Sequence, residues 1–371
     1  MLKVLIAPLD WGLGHATRCI PIIKELITQG FKVIIAASGA QKTILQEEFP
    51  AVSFVEIPGY RIKYTKNRAF TVVKMVWNIP KILIRIKAEN RWLRRFLLQT
   101  PVDLVISDNR YGLYAAGTGC IFITHQLAIR TGFGRLPDRW LRQANYAFIQ
   151  RFMACWVPDE AGPDNLAGKL SHPRRMPAVP VRYIGWLSRF GAAAGEPGQP
   201  QPAPRIDLLL LLSGPEPQRT ILEDLLLAQL HTANLGRVAM VRGLPGGGRE
   251  PIRAPGVEVH DYLGTAALGT LIGLSRVILS RPGFSTVMDL AALRKRAIFI
   301  PTPGQTEQEY LGRYLAGKGW AVCRRQRGFM LPEALAGARK LNPALWPAAG
   351  DRQLLSRVIK TVRTQSAADF G

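Results

Sequence analysis

Two histidines and an aspartate stand where predicted strands end. His15 lies in the stretch DWGLGHATR, directly after the apolar run Val4–Ala7, and Asp108 ends the predicted strand VDLVISD. His125 ends a third predicted strand, IFITH. An imidazole is the usual proton acceptor near neutral pH, and a neighbouring carboxylate orients it and stabilises its protonated form. The pattern predicts general-base chemistry, with His15 as the base and Asp108 as its orienting partner.

The first loop also admits other interpretations. His15 can serve only to shape the loop, and Asp10 is a rival base or orienting group. The glycines let the backbone approach a bulky substrate, and Arg18, one helical turn later, either meets an anionic substrate group or lies on the surface.

Two loops in the second half of the chain also follow predicted strands and enter helices. In VILSRPGFSTVMDLAAL, Ser285 or Thr286 can cap a helix whose first turn carries Asp289. The free N–H groups of that turn can instead bind a diphosphate, with Asp289 accepting a hydrogen bond from a sugar hydroxyl. In IFIPTPGQTEQEYLGRYL, clustered glutamine and glutamate side chains suit either sugar recognition or a solvated surface.

The sequence lacks the motifs of several common classes of enzyme and metal site. The first loop has no third glycine for the dinucleotide fingerprint, and the next predicted strand ends without an acid to hold a ribose. No P-loop, no G-x-S-x-G elbow and no D-x-D pair is present, and the last of these argues against a metal bridging a diphosphate. The four cysteines are widely separated, so we expect no metal site, no disulfide and a reducing compartment.

The alternation of apolar runs and helical patterns predicts two doubly wound α/β domains. We place the first at residues 1–187 and the second at 206–350, joined by a Gly/Pro/Ala/Gln-rich linker at 188–205. Residues 351–371 should form a helix that packs back on the first domain, and a short helix is predicted near Tyr111–Gly117. Because ligands bind beyond the carboxyl ends of parallel strands, the loops above should meet at an interdomain cleft.

The charge distribution points to an anionic surface. The net charge is +23, and Tyr60–Phe96 carries eleven lysines and arginines against the single acid Glu89, interleaved with Trp, Phe and Ile. This favours an interfacial helix on an anionic membrane, although a helix packed on the domain with a solvated basic face explains the same pattern. No nucleic-acid motif, signal peptide or bilayer-spanning run is visible, so we expect a cytoplasmic protein held peripherally at the inner face of the membrane, with no nucleic-acid partner.

The two loops of the second half resemble the C-terminal nucleotide-sugar domain of glycosyltransferase family 28. GLGHATR is similar to the first glycine loop of that family, and LLSGPEPQR stands where the family has a Gly/Ser loop. The resemblance implies a GT-B fold, with two Rossmann-like domains facing an interdomain cleft. It also implies metal-independent inverting transfer without a cofactor beyond the nucleotide-sugar donor. The matching residues are Ser280-Arg281-Pro282-Gly283, Thr286, Asp289, Pro301 and Gln308.

The resemblance also implies an acceptor side in the first domain, where the expected residues are Gly12, Gly14, Arg18 and His125. It implies a donor site in the second domain. Asp289 would hold the ribose, the loop 280–286 the diphosphate, and Gln308 with Glu309 the sugar. The donor-binding residues expected on this basis are Ser213, Gly214, Ser280, Arg281, Gly283, Phe284, Ser285, Thr286, Asp289, Gln305, Gln308 and Glu309.

The expected activity is transfer of a hexose or N-acetylhexosamine from a UDP-sugar to a lipid-linked or envelope glycan acceptor. Departures from the family pattern, such as Asp289 for the usual glutamate and Pro215 and Pro217 for glycines, favour an acceptor other than a peptidoglycan precursor. The enzymatic alternative is a nucleotide-sugar 2-epimerase of the same fold. The non-enzymatic alternative is a basic protein that binds an anionic lipid or polymer.

Overall fold

The computed structural model describes residues 1–59, 79–190, 205–231, 235–247, 254–348, 350–351 and 353–369. Within these residues the chain forms two parallel β-sheets, of seven and six strands, with helices packed against them. This confirms the predicted pair of α/β domains. Residues 60–78 of the basic segment and 191–204 of the predicted linker lie outside the described residues, so those parts of the predictions stay predictions.

The first sheet contains seven strands in the order β3-β2-β1-β4-β5-β6-β7. Its strands are β1 (Lys3–Pro8), β2 (Lys32–Ala36), β3 (Ser53–Val55), β4 (Leu104–Asp108), β5 (Gly119–Ile123), β6 (Ala154–Val157) and β7 (Val181–Tyr183). The helices between them are α1 (Gly14–Thr28), α2 (Gly39–Glu48), α3 (Ile79–Gln99) and α4 (Arg135–Ile149). The order reverses between β1 and β4, which makes this the topological switch point.

The second sheet repeats the plan in the order β10-β9-β8-β11-β12-β13. Its strands are β8 (Ile206–Leu211), β9 (Val238–Val241), β10 (Val257–His260), β11 (Ser275–Ser280), β12 (Arg296–Phe299) and β13 (Val322–Cys323). Its helices are α5 (Gln218–Leu230), α6 (Thr265–Gly273), α7 (Phe284–Ala292), α8 (Thr306–Gly317) and α9 (Leu331–Arg339), and α10 (Leu354–Asp369) ends the described chain. Here the switch point lies between β8 and β11.

The central strands are continuous runs of Val, Ile and Leu because helices cover both faces of each sheet. In the first sheet β1 pairs with β4 so that Pro8 lies opposite Asp108, and in the second β8 pairs with β11 so that Leu211 lies opposite Ser280. The loops that follow these four strands therefore leave the two sheets at their switch points.

The predicted helix near Tyr111–Gly117 is wrong, since these residues form turns. Side chains of α3 form hydrogen bonds with backbone N–H and C=O groups that a helix here would need for its own hydrogen bonds. Asn90 Nδ2 donates to the carbonyls of Gly112 and Tyr114, and the N–H of Gly112 donates to Glu89 Oε2 at 3.2 Å. Gly112 lies against the carbonyl of Ile86, where a side chain would not fit. Two elements were not predicted, the short β13 and the helix α9.

Glu89, the single acid of the basic segment, is buried and paired with Arg110. Its Oε1 accepts a hydrogen bond from Arg110 Nη1 at 2.6 Å, and both side chains are almost fully buried. Arg110 Nε also donates to the carbonyl of Pro8 at 2.8 Å. This ion pair anchors α3 to the carboxyl end of the first sheet.

Glu89→Gln should lower the free energy of unfolding by about 1.5–3 kcal/mol, because a neutral amide replaces the charged partner of a buried guanidinium. Urea denaturation monitored by circular dichroism measures this change. Glu333→Gln, at an exposed position in the first turn of α9, is the matched control and should change stability by less than about 0.5 kcal/mol. Equal midpoints for the two variants would contradict this account of Glu89.

The last helix returns to the first domain. Gln29 Nε2 donates to the carbonyl of Ser356 at 2.8 Å, and Arg363 Nη1 donates to the carbonyl of Gln29 at 2.8 Å. Val358, Ile359 and Val362 are buried in the same apolar cluster as the inner face of α1. The chain thus crosses from the second domain to the first at its end, which ties the two together.

Candidate active site

The switch point of the first sheet brings His15 and Asp108 together. His15 lies in the first turn of α1, which follows β1, and Asp108 is the last residue of the neighbouring strand β4. His15 Nδ1 and Asp108 Oδ2 are 2.9 Å apart. When Nδ1 carries the proton and donates it to the carboxylate, the lone pair of Nε2 is left to accept another proton. Among the described residues, Nε2 has no hydrogen-bond partner.

Arg18 is a central part of this pair and does not lie on the surface. It is 2% exposed, and its Nε lies 3.0 Å from both carboxylate oxygens of Asp108. Its Nη2 also donates to Asp108 Oδ1. The prediction that Arg18 meets an anionic acceptor does not fit this geometry, because its guanidinium is directed at Asp108, His15 and His125. Asp10, the rival base, is paired instead with Arg110 at 3.7 Å.

The surroundings keep Asp108 ionised and favour neutral His15. Burial lowers the pKa of His15 from its usual 6.5, and the nearby Arg18 lowers it further, against the opposing effect of Asp108. Burial alone would raise the pKa of Asp108, but Arg18 and then His15 lower it to about 2. A neutral imidazole beside an ionised carboxylate is the starting state that a general base requires.

His125 connects the two domains. Its Nδ1 lies 3.1 Å from Arg18 Nη1, and its Nε2 lies 2.7 Å from Oε1 of Glu307, the second residue of α8. Gln126 Nε2 donates to the other oxygen of Glu307 at 2.5 Å. The ring of His125 stacks on Phe284, with centroids 4.3 Å apart. His125 is thus a contact between the domains as well as a neighbour of the His15–Asp108 pair.

The first turns of α1 and α7 meet across the domains. Ser285 Oγ donates to the carbonyl of Gly14 at 2.7 Å. A Cβ atom at Gly14 would lie 3.0 Å from Ser285 Oγ, so the two turns are in close contact. The predicted capping by Ser285 or Thr286 is wrong, since the residue before the first helical position is Gly283. Because glycine offers no capping side chain, the first N–H groups of α7 remain suited to an anion.

Ser280 and Arg281 are buried beneath the predicted donor loop. Arg281 is 1% exposed, and its Nη groups donate to the carbonyls of Ile300 at 2.9 Å and Gln218 at 3.0 Å. Burial lowers its pKa to about 10. The predicted donor contact by Arg281 does not fit, because its guanidinium binds backbone within its own domain and thereby supports the loop. Ser280 is also fully buried, which argues against direct donor contact.

Asp289 is bound by the first two residues of the predicted linker. Its Oδ1 accepts a hydrogen bond from Ser188 Oγ at 2.8 Å, and its Oδ2 lies 3.4 Å from Arg189 Nε. The side chain is nearly buried, and burial raises its pKa in spite of Arg189. A ribose hydroxyl would have to replace one of these partners, so the predicted ribose contact requires Ser188 or Arg189 to move.

The glycine loops lie at the carboxyl ends of the central strands. Gly12 has a φ of +81° and its carbonyl accepts from Gln41 Nε2 at 2.9 Å. Gly214, after β8, is exposed with a φ of +108°, and Ser213 beside it is half-buried. These left-handed conformations are the ones that glycine adopts without strain.

The Gln/Glu loop forms part of the domain boundary. Gln308 Oε1 accepts from the N–H of Thr302 at 2.8 Å, and Glu309 Oε1 accepts from the N–H of Gly304 at 3.0 Å, so both side chains shape the loop before α8. Gln305 is the residue before the helix. Glu309 also lines an interdomain pocket of about 320 Å³, together with Arg130, Gly132, Gly134, Asp138, Thr306 and Arg313.

Sequence reasoning missed the interdomain role of Glu307. The residue was part of the recognised Gln/Glu cluster, but spacing along one helix does not indicate contact with a histidine 182 positions away. Arg130 was missed as well. Its carbonyl accepts from Thr306 Oγ1 at 2.6 Å and its guanidinium lies 4.3 Å from the centroid of the Tyr310 ring. Such pairings depend on how the two domains dock.

Comparison with known proteins relates this chain to glycosyltransferases. Residues 256–341 match the glycosyltransferase family 28 C-terminal domain. Over 96% of its length the chain is 25% identical to a protein of Alcanivorax borkumensis, of which the match covers 92%. That relative is named UDP-N-acetylglucosamine--N-acetylmuramyl-(pentapeptide) pyrophosphoryl-undecaprenol N-acetylglucosamine transferase.

Solved structures match the fold over both domains. The calicheamicin glycosyltransferase CalG4 superposes with a TM-score of 0.65 at 13% identity and full coverage of both chains. SnogD of Streptomyces nogalater gives 0.64 at 14% identity, covering 98% of this chain and 99% of its own. MurG of Acinetobacter baumannii gives 0.53 at 14% identity with the same coverage. The chain is therefore a glycosyltransferase with the GT-B fold, and residues 256–341 of its second domain match the C-terminal domain of family 28.

Proposed function

We propose that this glycosyltransferase moves a hexose or N-acetylhexosamine from a UDP-sugar to a lipid-linked or envelope glycan acceptor, with inversion at the anomeric carbon. The observation that supports it most is the His15–Asp108 pair at the switch point, beside the first turn of α7. The relative from Alcanivorax borkumensis carries UDP-N-acetylglucosamine and an undecaprenol-linked acceptor in its name. None of the relatives reported above is an epimerase.

In this proposal His15 is the base of a single displacement. An acceptor hydroxyl gives its proton to Nε2 while its oxygen bonds to the anomeric carbon. The bond from that carbon to the β-phosphate oxygen breaks, and its electron pair leaves with UDP. Asp108 holds Nδ1–H and stabilises the imidazolium that forms. Attack opposite the leaving group inverts the configuration.

The second domain would hold the donor. We assign the diphosphate to the first turn of α7, where Gly283, Ser285 and Thr286 present backbone N–H groups, and to the Ser213–Gly214 loop that follows β8. The sugar would contact Gln305 and Glu309, beside the interdomain pocket. Asp289 would reach the ribose once Ser188 or Arg189 releases it.

We propose that this transfer needs no metal and no further cofactor. In the described residues no three His, Cys, Asp or Glu side chains are grouped so as to hold a metal ion. The leaving UDP would instead be stabilised by backbone N–H groups and the positive end of the α7 dipole. Transfer in excess EDTA should equal transfer with added Mg²⁺; a requirement for Mg²⁺ would refute the proposal.

Association with an anionic membrane is a further part of the proposed function. On α4, Leu136 and Trp140 are 70% and 74% exposed one turn apart, and Arg135 and Arg139 form the adjacent stripe. Phe133, just before this helix, is 58% exposed. The described part of the basic segment, α3, packs inward and leaves several basic residues exposed. They are Lys81, Lys87, Arg91, Arg94 and Arg95. No helix of the described chain is long and apolar enough to cross a membrane.

The double variant Leu136→Ser/Trp140→Ser should bind phosphatidylglycerol vesicles about 10–100-fold more weakly, because two apolar side chains no longer enter the interface. Vesicle co-sedimentation measures the change, with phosphatidylcholine vesicles as the neutral comparison. Leu345→Ser is the control, since Leu345 is 55% exposed in the second half of the chain. If the double variant binds like the control, α4 does not contact the membrane.

The transfer reaction itself is tested by supplying UDP-sugars with a membrane extract as acceptor and following UDP release. The proposal predicts UDP release that depends on the acceptor. A donor-only reaction that yields an altered free sugar would support the epimerase instead. Tight vesicle binding with no heat on titration of UDP would support the non-catalytic binding protein.

A further inference from the structure

Glu307 is a carboxylate from the second domain that reaches the proposed base network of the first. It lies in the first turn of α8, and its two oxygens accept hydrogen bonds from His125 Nε2 and Gln126 Nε2. Its side chain is 20% exposed and that of His125 is 7% exposed. This contact therefore exists only while the two domains stay docked.

A continuous chain of polar contacts links Glu307 to His15. His125 Nε2–H donates to Glu307, and His125 Nδ1 accepts from Arg18 Nη1 at 3.1 Å, which fits one neutral tautomer. Arg18 in turn donates to Asp108, and Asp108 holds His15 Nδ1. His15 Nδ1 also lies 2.9 Å from Arg18 Nη2, so it is placed between the guanidinium and the carboxylate of Asp108.

The charges of this network show what Glu307 adds. Arg18 contributes one positive charge, and Asp108 and Glu307 contribute two negative ones, so the network carries −1 while both imidazoles are neutral. A proton on His15 brings it to zero. Without Glu307 the same proton would leave a net charge of +1 in the network. An uncompensated charge is unfavourable in the low-dielectric interior of a protein, so protonation of His15 would cost more free energy.

The other groups around the network do not change this balance. The thiol of Cys19 lies 3.7 Å from Asp108 Oδ2, and burial raises its pKa well above the usual 9.0, so it stays neutral. The first turn of α7 contributes Phe284 and Ser285, which do not titrate. Burial alone would raise the pKa of Glu307, but His125, His15 and Arg18 lower it, so the carboxylate stays ionised.

We propose that Glu307 is a positioning residue that makes His15 a competent base only when the two domains are docked. Glu307 holds His125 against Arg18 and supplies the second negative charge that balances the imidazolium. The inference rests on the proposed role of His15 in sugar transfer. It assigns to α8 a function in timing proton transfer, separate from any contact with the donor.

The test is Glu307→Gln, which keeps size and hydrogen bonding but removes the charge. We expect kcat to fall about tenfold with the KM for donor changed less than about threefold. The acid limb of the pH profile of kcat/KM should move to lower pH, because loss of a negative charge lowers the pKa of His15. An unchanged kcat with an unmoved acid limb would overturn the inference.

Two control variants separate charge from structure. Thr306→Val removes the interdomain hydrogen bond from Thr306 Oγ1 to the carbonyl of Arg130 without changing charge, so the acid limb should stay in place. Glu333→Gln removes an exposed carboxylate from the same domain and should also leave it in place. A limb that moves equally in all three variants would contradict a specific role for Glu307.

A measurement without turnover keeps this inference separate from the proposed function. The chain has five histidines, so ¹⁵N-imidazole NMR can follow His15 through a pH titration. We expect a lower His15 pKa in Glu307→Gln than in the unmodified protein, whether or not a donor has been found. Equal values would overturn the inference alone, whereas failure of transfer by the unmodified protein would overturn the proposed function alone.

Discussion

We expect His15→Gln to lower kcat for sugar transfer by about 10²–10⁴-fold, the range that a positioned general base contributes. The glutamine amide can still donate to Asp108, so the buried carboxylate keeps a partner and the fold should persist. Only the Nε2 lone pair that accepts the acceptor proton is lost. Donor-dependent UDP release, measured beside circular dichroism spectra, provides the comparison.

His260→Gln is the matched control for this variant. His260 is part of β10, and its ring pairs with Glu258 at 2.9 Å, outside the cleft network. It should retain kcat within about twofold, since exposed polar changes away from a site have small effects. Full turnover by His15→Gln would remove His15 from the role of base and leave it as a loop-shaping residue.

The pH dependence of the unmodified enzyme follows from the same environment. Burial and then Arg18 lower the pKa of His15 from 6.5, so the neutral, proton-accepting form persists below pH 6.5. The acid limb of kcat/KM should therefore have its midpoint below the ordinary value for histidine. A midpoint above 6.5 would show that the imidazolium is favoured and would contradict the proposed balance of charges.

Asp108→Asn should cost both activity and stability. The asparagine amide can donate to His15 Nδ1, which forces the proton onto Nε2 and blocks the base, so kcat should again fall about 10²–10⁴-fold. The buried guanidinium of Arg18 also loses its charged partner, which should lower the free energy of unfolding by about 3–5 kcal/mol. Activity assays and urea denaturation measure the two effects separately.

A double-mutant cycle isolates the contribution of the ion pair. Arg18→Met/Asp108→Asn should be less destabilised than the sum of its single variants, because neither charge is then buried alone. Glu56→Gln is the control: Glu56 is 78% exposed in its pair with Lys42, so its loss should cost less than about 1 kcal/mol. Strict additivity of the cycle would contradict a coupled pair.

The meeting of His15 with Asp108 could be predicted because it follows from strand order. Both residues end or follow strands beside a switch point, and in parallel sheets such positions converge whatever the details of packing. The two-domain architecture was predictable for a similar reason, since apolar runs separated by amphipathic segments leave few alternatives. The strand β13 could not be predicted, because its two residues are too few to show the alternation of apolar and polar residues that marks a strand.

The side-chain environments could not be predicted in the same way. The direction of Arg18 depends on which face of α1 turns towards β4, and the partners of Asp289 come from residues 101 and 100 positions earlier in the chain. The false helix at Tyr111–Gly117 shows the same limit, because side chains of α3 compete for its backbone groups. Contacts of long sequence separation decided each of these cases.

Transfer of labelled sugar tests the central claim most directly. Radiolabelled UDP-glucose, UDP-galactose or UDP-N-acetylglucosamine is incubated with the protein and a membrane acceptor extract, and label and UDP are counted in each fraction. We predict that label from one donor enters the acceptor fraction, that UDP appears in equal amount, and that His15→Gln lowers the rate of both by about 10²–10⁴-fold. Label recovered as an altered free sugar without acceptor, or equal transfer by His15→Gln, would contradict the account.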